Sequence, residues 1–272
     1  MNMKRVLTAV IGFPLVMLIL ILGNRYIIDI TVAIISIIAM NEYVKCASNK
    51  EIKIVSWIGY IILSTIALIH VIPNQIFVYI SIIGFPLLLL VLFLHVIVSN
   101  MKITFKDIAF TLMGIIYLFT FLVCLPLIFG MEGNVSGKFL IWYVLFSAWG
   151  TDVFAYIIGK RIGKTKFSKV SPNKSIEGCI AGTIGAIIAC LLYTVALNLI
   201  SGYEISYLTI AIISLVLSII GQIGDFSASV IKRYFDVKDF SNLFPGHGGM
   251  IDRIDSVMFI APFAYILFLM FL

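Results

Sequence analysis

Residues 205–224 read ISYLTIAIISLVLSIIGQIG, an unbroken stretch without a charged side chain. In a helix, which rises about 1.5 Å per residue, a stretch of this length crosses a bilayer core about 30 Å thick. Only 12% of the chain is charged, and its mean hydropathy is +1.15. Similar stretches recur from one end to the other, so the sequence predicts an all-α, polytopic integral membrane protein.

The sequence predicts about nine transmembrane helices. They use nearly the whole chain, which leaves no room for a separate soluble domain. The predicted spans are 6–22, 26–40, 54–72, 76–98, 107–129, 139–159, 179–200, 205–224 and 254–272.

The basic residues fall almost entirely on one side of such a nine-span arrangement. Of 19 Lys and Arg residues, only Arg25 and Lys138 fall on the other side. Because cytoplasmic loops carry the excess of Lys and Arg, we expect the N-terminus and both long polar loops to be cytoplasmic. Membrane topology then accounts for the net charge of +6, and no nucleic-acid partner is expected.

The two parts of the chain differ in chemistry. Residues 1–138 are predicted to form about five spans with short connections and almost no reactive groups. Residues 139–272 are predicted to form a catalytic region, because the loops 160–178 and 225–255 concentrate both basic and acidic side chains.

The eighth span runs directly into GDFSASVIKRY, residues 224–234. If the helix continues into the cytoplasm, Asp225, Ser229 and Lys232 or Arg233 form one stripe on its surface. A solvated helix end with cations that set topology is the alternative interpretation. An acid at the membrane boundary is costly without a partner or an ion, which favours a functional site.

A second polar motif, FPGHGGMIDRIDS, occupies residues 244–256. Phe-Pro-Gly ends any preceding helix, the next two glycines permit positive φ and close backbone approach, and a helix is predicted to begin near Met250. Asp252 and Asp255 then share one face of its first turns. A helix N-terminus suits phosphate, and a carboxylate there suits Mg²⁺. Simple capping by acids is the alternative.

A third segment, GKRIGKTKFSKVSPNKSIEG at residues 159–178, is strongly basic. It predicts a flexible loop that gathers phosphates or lipid head groups, although a topology signal would explain the charge alone. A helix is predicted to start at Ser171-Pro172. Asp152 lies just upstream, inside the preceding span.

These stretches resemble a known family. SVIKRYFDVKDFSNLFPGHGGMIDRID, residues 229–255, resembles the signature of the phosphatidate cytidylyltransferases, also called CDP-diacylglycerol synthases. DVFAYIIGK (152–160) and SPNKSIEG (171–178) are similar to upstream segments of that family, so the resemblance covers about residues 150–256. The CTP-dependent polyprenol kinases are looser relatives of that family. They carry out related chemistry with CTP but lack the full signature.

The resemblance implies transfer of CMP from CTP to phosphatidate at the cytoplasmic face of the cell membrane, with release of pyrophosphate. It implies one or two Mg²⁺ ions, leaves open a need for a monovalent cation, and suggests a homodimer. By motif position, Asp225 and Asp252 are the metal ligands. The catalytic set comprises Asp225, Asp252, Lys232, Arg233, Arg253, Asp255 and His247, and the substrate-binding set comprises Lys174, Ser171, Ser175, Asp152, Ser229, Lys238, Gly248 and Gly249.

His247 is predicted to contact phosphate or to staple its loop, rather than to act as an acid or base. No P-loop, nucleophile elbow or paired C-x-x-C motif is present, which removes those familiar chemistries.

Three other functions compete with this prediction. A cation-coupled transporter would place charge deeper in several spans and show symmetry between halves, and neither is visible. A CDP-alcohol phosphotransferase calls for a D-x-x-D-G-x-x-A-R pattern, which the chain lacks. A lipid-binding scaffold without activity would need only the basic loop.

Overall fold

The computed structural model describes residues 3–168, 170–172 and 174–272. In these residues the regular structure is helical, and extended backbone pairs only at two isolated bridges, Lys166 with Ser175 and Phe244 with Gly248. A 3-10 helix, Thr65–Leu68, follows α3 directly. The α-helices are α1 (Met3–Leu22), α2 (Arg25–Ser48), α3 (Ser56–Ser64), α4 (Asn74–Val98), α5 (Phe105–Leu122), α6 (Cys124–Phe129), α7 (Gly137–Ile162), α8 (Ile176–Ser201), α9 (Tyr207–Tyr234) and α10 (Ile251–Phe271).

Seven helical stretches in the described residues are long and apolar enough to cross a membrane, which confirms an all-α, multi-pass membrane protein. Two more apolar helices, Gly12–Leu22 and Ser56–Leu68, are shorter. The count of nine spans and the cytoplasmic N-terminus therefore stay predictions. The seven are Arg25–Ser48, Val78–Val98, Phe105–Phe129, Gly137–Ile162, Ile176–Ser201, Tyr207–Tyr234 and Ile251–Phe271.

The chain divides into two compact units. The first comprises Met1–Pro126 and Phe235–Met250, and the second comprises Leu127–Tyr234 and Ile251–Leu272. Residues 235–250, called here the signature loop, therefore pack with the N-terminal helices. The predicted division of function at residue 138 stays a prediction.

Helix α2 lies at the centre of the first unit. Its Met40 is fully buried and fills the space beside Gly59 of α3, where an added Cβ would lie 2.4 Å from the Met40 Cε. Its Tyr43 fills the space beside Gly114 of α5, where an added Cβ would lie 2.5 Å from the ring. The Tyr43 hydroxyl also donates to the carbonyl of Phe110 at 3.0 Å. Large side chains of α2 thus fit against glycines of its neighbours.

Buried carboxylates in this unit have partners. Asp29 of α2 is completely buried, and both its oxygens lie 2.9 Å from Nδ1 of His70. Asp107 forms a capping box with Thr104 at the start of α5 and accepts a bond from the Lys53 N–H at 2.7 Å. An acid within a membrane helix is costly without such a partner, so these contacts explain how α2 and α5 carry them.

Helices α7 and α8 of the second unit pack with their backbones close together. An added Cβ on Gly150 would lie 3.0 Å from the Cα of Ala186, and one on Gly182 would lie 2.8 Å from the carbonyl oxygen of Thr151. Since residue numbers rise on one helix as they fall on the other, the two helices are antiparallel. Small residues permit this close approach in membranes, where packing and hydrogen bonds hold helices together.

Candidate active site

Glycines also bring α9 and α10 together. An added Cβ on Gly224 would lie 2.7 Å from the Cβ of Phe259 and 2.8 Å from the carbonyl oxygen of Asp255. An added Cβ on Gly221, one turn earlier, would lie 2.8 Å from Ile260. This antiparallel contact places Asp225, the residue after Gly224, beside the first turns of α10.

Helix α9 continues to Tyr234, and α10 begins at Ile251. Both helix predictions from the polar motifs are therefore confirmed. Because α9 does not stop at the end of its apolar stretch, it carries Lys232 to a position where its ammonium lies 2.6 Å from the Asp252 carboxylate. The two side chains are 13% and 4% exposed, so this ion pair is almost entirely removed from solvent.

A second ion pair joins Lys174 to Asp225. Asp225 also lies within electrostatic range of Asp152 on α7 and Asp255 on α10. Asp255 is 9% exposed and interacts in turn with Lys232. Carboxylates and ammonium groups from three helices and one loop thus lie in a single cluster, called here the charge cluster.

The loop between α7 and α8 is held by hydrogen bonds in its described part. The N–H of Phe167 donates to the carbonyl of Lys174 at 3.1 Å, and the N–H of Ile176 donates to the carbonyl of Thr165 at 3.0 Å. Ser175 is the N-cap of α8, and its Oγ accepts from the N–H of Gly178 at 3.1 Å. The predicted helix start at Ser171-Pro172 is wrong, because α8 begins at Ile176 and its N-cap is Ser175.

Aromatic rings fix the direction of Lys174. Its ammonium lies 4.6 Å from the ring centroid of Phe226, and that ring stacks on Phe167 with centroids 4.6 Å apart. A cation over an aromatic face is attracted by the ring quadrupole. The stack therefore holds the lysine beside Asp225, the residue that precedes Phe226.

A polar network that sequence reasoning missed lies inside the second unit. The hydroxyls of Thr151 and Ser218 are 2.7 Å apart, and the Gln222 amide donates to Thr183 at 3.0 Å. Ser218 also donates to Thr183 at 3.3 Å. The sequence does contain a signal for it, since Ser218, Gln222 and Asp225 are spaced to share one face of α9.

The other predicted site residues of the second unit have these positions. Ser229 is buried on α9, Arg233 and Arg253 are exposed, and Arg253 interacts electrostatically with Asp152. Ser171 accepts a backbone bond from Lys174. Their predicted roles toward substrate stay predictions.

The acids are of the chemical type that Mg²⁺ binds, and the magnesium site stays a prediction. Mg²⁺ prefers oxygen ligands and is usually held by one or two carboxylates together with water and substrate phosphates. Among the described residues, no three His, Cys, Asp or Glu side chains are grouped closely enough to hold an ion unaided. Asp225 and Asp252, each paired here with a lysine, would therefore need phosphate oxygens to complete the coordination.

The remaining predicted residues lie in the signature loop, which belongs to the first unit. The loop makes a tight turn in which the Phe244 N–H donates to the Gly248 carbonyl at 2.9 Å and the His247 N–H donates to the Phe244 carbonyl at 2.8 Å. Gly246 and Gly248 have φ of 80° and 83°, a conformation that other residues adopt only with strain. Of the two predicted glycines, Gly248 has a positive φ and Gly249 does not, whereas Gly249 is closely approached by the Glu42 side chain.

Two further residues of the loop belong to the predicted site. Nδ1 of His247 is buried without a hydrogen-bond partner among the described residues, whereas Lys238 is exposed. A buried ring nitrogen left without a partner is costly, which is consistent with a nitrogen that contacts a ligand.

Helix α2 supports the signature loop through one stripe of its surface. Glu42 accepts hydrogen bonds from the loop, Cys46 donates to the carbonyl of Phe240 at 3.3 Å, and Lys50 pairs with Asp236. Glu42 and Cys46 lie one turn apart and share one face of α2, whereas Lys50 follows in the turn after the helix, which ends at Ser48. Sequence reasoning missed this stripe, because nothing local in α2 indicates which distant segment it contacts.

A family model described as the cytidylyltransferase family matches residues 3–271. Similar curated proteins include the phosphatidate cytidylyltransferase of Bacillus subtilis (strain 168), which is 40% identical over 136 residues, 50% of this chain and 49% of that protein. That of Thermotoga maritima is 43% identical over 127 residues, 46% of this chain and 47% of that protein. That of Staphylococcus aureus (strain COL) is 40% identical over 142 residues, 51% of this chain and 52% of that protein. The chain spans about half the length of the curated relatives it matches.

Proposed function

This chain belongs to the cytidylyltransferase family, and from that premise we propose that it is a phosphatidate cytidylyltransferase. In the proposed reaction a phosphate oxygen of phosphatidate attacks the α-phosphorus of CTP. A new P–O bond forms to that phosphorus, the bond from it to the β-phosphate oxygen breaks, and the products are CDP-diacylglycerol and pyrophosphate. The names of the three similar proteins support this assignment.

The observation that carries the proposal is the charge cluster. Two polyanions must meet for this reaction, so catalysis depends mainly on positioning and charge neutralisation. Lys174 and Lys232 each face a carboxylate and can exchange that partner for a phosphate oxygen. Arg233 and Arg253, which are exposed, would bind pyrophosphate or the phosphate of phosphatidate.

Asp225 and Asp252 are the proposed ligands of one or two Mg²⁺ ions, as their motif positions imply. Bound Mg²⁺ neutralises phosphate charge and fixes the geometry of the triphosphate. Asp255 would orient the ligands, because it is buried and interacts with both Asp225 and Lys232. No general base is needed, since a phosphate monoester is already ionised near neutral pH.

An apolar cavity of about 700 Å³ between α8 and α9 supports a lipid as the second substrate. Ile180, Ile184 and Ile219 are among the residues that line it. Phe167 and Phe226 also line it, and the Lys174 ammonium lies over the ring of Phe226. We propose that the acyl chains lie along this cavity while the lipid phosphate reaches Lys174.

The side of the membrane belongs to the same proposal. Nearly all basic residues fall on one side of the predicted topology, which favours an active site facing the cytoplasm, where CTP is present. The homodimer and the monovalent cation also stay predictions. The second candidate function is that of a CTP-dependent polyprenol kinase-like enzyme.

One assay tests the proposal against its rivals. Purified protein in detergent is incubated with phosphatidate, Mg²⁺ and CTP labelled either at the α- or at the γ-phosphate. Label should enter the lipid phase from the α-position and not from the γ-position. Transfer of the γ-label to a polyprenol would instead support the kinase, and no transfer from either position by folded protein would overturn both.

A control variant is available for this assay. Asp225→Asn should abolish transfer while leaving membrane insertion intact, because it removes a charge and little volume. Full transfer by this variant would defeat the metal assignment.

A further inference from the structure

We propose that Glu42 is a positioning residue for the reaction, which holds the signature loop in its working conformation without touching substrate. This inference rests on the proposed function, since the loop carries His247 and Lys238 of the predicted site. It assigns a role to the N-terminal half, where the sequence showed almost no reactive group.

The contacts of Glu42 close the loop at both ends of its turn. Its side chain is buried, with the residue 3% exposed. One oxygen, Oε1, accepts from the Ser241 hydroxyl at 2.6 Å and from the Met250 N–H at 2.7 Å. These donors stand on either side of the turn at residues 244–248. Hydrogen bonds to a carboxylate are roughly twice as strong as those between neutral groups. One side chain therefore fixes the distance between the segment that enters the turn and the segment that leaves it.

Glu42 also explains a glycine of the signature. An added Cβ on Gly249 would lie 2.6 Å from Oε2 and 2.7 Å from Oε1 of Glu42. Since the φ of Gly249 is not positive, its backbone conformation does not require glycine. The requirement is space for the carboxylate, and this links position 249 directly to position 42.

The rest of the α2 stripe fixes the beginning of the loop. Cys46, one turn beyond Glu42, donates to the carbonyl of Phe240, and Lys50, just after the end of α2, pairs with Asp236. Phe235 packs edge-on against Tyr43 with ring centroids 5.8 Å apart. The loop therefore follows the last turns of α2 and the turn after it, and Glu42 contacts the loop residues nearest to His247.

The first experiment separates positioning from mere stability. Glu42→Ala removes the acceptor, whereas Glu42→Gln keeps one carbonyl oxygen. Asp29→Asn is the matched control, because Asp29 is another buried carboxylate of α2 whose partner, His70, lies outside the loop.

We expect Glu42→Ala to lower kcat/KM for CTP, per folded molecule, on the order of tenfold or more, because small misplacements are amplified in transfer reactions. Glu42→Gln should restore most of it. Asp29→Asn should lower thermal stability and leave kcat/KM per folded molecule unchanged. Unchanged kcat/KM in Glu42→Ala would overturn the inference, as would an equal loss in Asp29→Asn.

The second experiment is a double-mutant cycle with Gly249→Ala. When Glu42 is present, the added methyl group meets its carboxylate, and kcat/KM should fall on the order of tenfold. In the Glu42→Ala background, Gly249→Ala should lower kcat/KM further by less than about threefold. Equal losses in both backgrounds would show that Gly249 is needed for another reason, and would overturn the proposed link.

A third measurement is independent of activity. Amide hydrogen exchange in residues 241–250 should become faster in Glu42→Ala than in wild type and stay unchanged in Asp29→Asn. If wild type fails to transfer CMP, the proposed function fails, but this readout still decides whether Glu42 holds the loop. Unchanged exchange in Glu42→Ala would overturn that.

Discussion

The buried pair between Lys232 and Asp252 gives the sharpest prediction, because stability and catalysis separate in it. We consider Asp252→Asn and Lys232→Met, each alone and both together. Each single variant leaves one charge of the pair almost fully buried, since the wild-type side chains are 4% and 13% exposed. The double variant removes both charges. We expect the single variants to lose both stability and CMP transfer, and the double variant to regain stability only.

The size of the effect follows from the burial. Breaking a buried ion pair by removing one partner costs about 3 to 5 kcal/mol, whereas replacing both partners with neutral side chains is often nearly neutral. The free energy of unfolding of a protein is only about 5 to 15 kcal/mol, so the single variants remain folded but melt at lower temperature. The double variant should be more stable than the sum of the single changes predicts, by at least about 2 kcal/mol.

Transfer should not recover with stability. If Asp252 helps to hold Mg²⁺ and Lys232 neutralises phosphate charge, their loss removes preorganised charges that act on the transition state. Removing one such group from an enzyme lowers kcat on the order of 100-fold or more. The double variant should therefore stay at least that far below wild type.

The measurements are thermal unfolding in detergent and transfer of α-labelled CMP into lipid, each per folded molecule. Lys138→Met is the matched control, because Lys138 is an exposed lysine of the same unit; it should match wild type in both. Recovery of transfer in the double variant would show that the pair only stabilises the fold. Single variants as stable as wild type would contradict the burial on which the magnitude depends.

Three further predictions concern other parts of the second unit. Lys174→Met should lower transfer more than tenfold, because it removes the cation beside Asp225, and a titration of rate against CTP and phosphatidate would show which KM rises. Gly182→Val should lower the melting temperature, because its Cβ would lie 2.8 Å from the Thr151 carbonyl oxygen and overpacking costs about 1 to 3 kcal/mol. Its control is Gly84→Ala in the first unit, where nothing lies within 4 Å of the added Cβ. Chelation with EDTA should abolish transfer, and added Mg²⁺ should restore it without changing helix content measured by circular dichroism.

The helices were the part of the fold that local pattern predicted well. The apolar stretch at 205–224 and the polar stripe that follows it contribute to one helix, α9 (Tyr207–Tyr234), because neither contains a proline. The start of α10 was predictable for the opposite reason, since Phe244-Pro245-Gly246 interrupts any helix before it. In the predicted span 54–72 the α-helix is shorter than the apolar stretch. Helix α3 ends at Ser64 and a 3-10 helix follows to Leu68, a change that hydrophobic periodicity does not reveal.

The pairings within the site were harder to predict than its members. The periodicity of hydrophobic residues indicates which face of a helix is buried, but not which distant residue packs against that face. Lys174 and Asp225 are 51 positions apart, and Glu42 and Ser241 are 199 positions apart. The sequence named both members of the first pair, Asp225 on the polar stripe after the eighth span and Lys174 in the basic loop, but did not pair them. Glu42 was not found, because a single acid near the end of an apolar helix is consistent with an ordinary solvated helix end.

The signature therefore combines two physical requirements that its sequence does not distinguish. Lys232 and Asp252 form an ion pair in the second unit, where their charge is suited to phosphate and metal. Ser241 and Gly249 instead match the shape and hydrogen-bonding of Glu42 in the first unit. A residue of the signature can thus be indispensable to the reaction without contacting a substrate, and spacing alone cannot assign it to the chemical group. Only the contacts show which of the two requirements a signature residue meets. For this reason Gly249→Ala is informative both with Glu42 present and with Glu42 replaced.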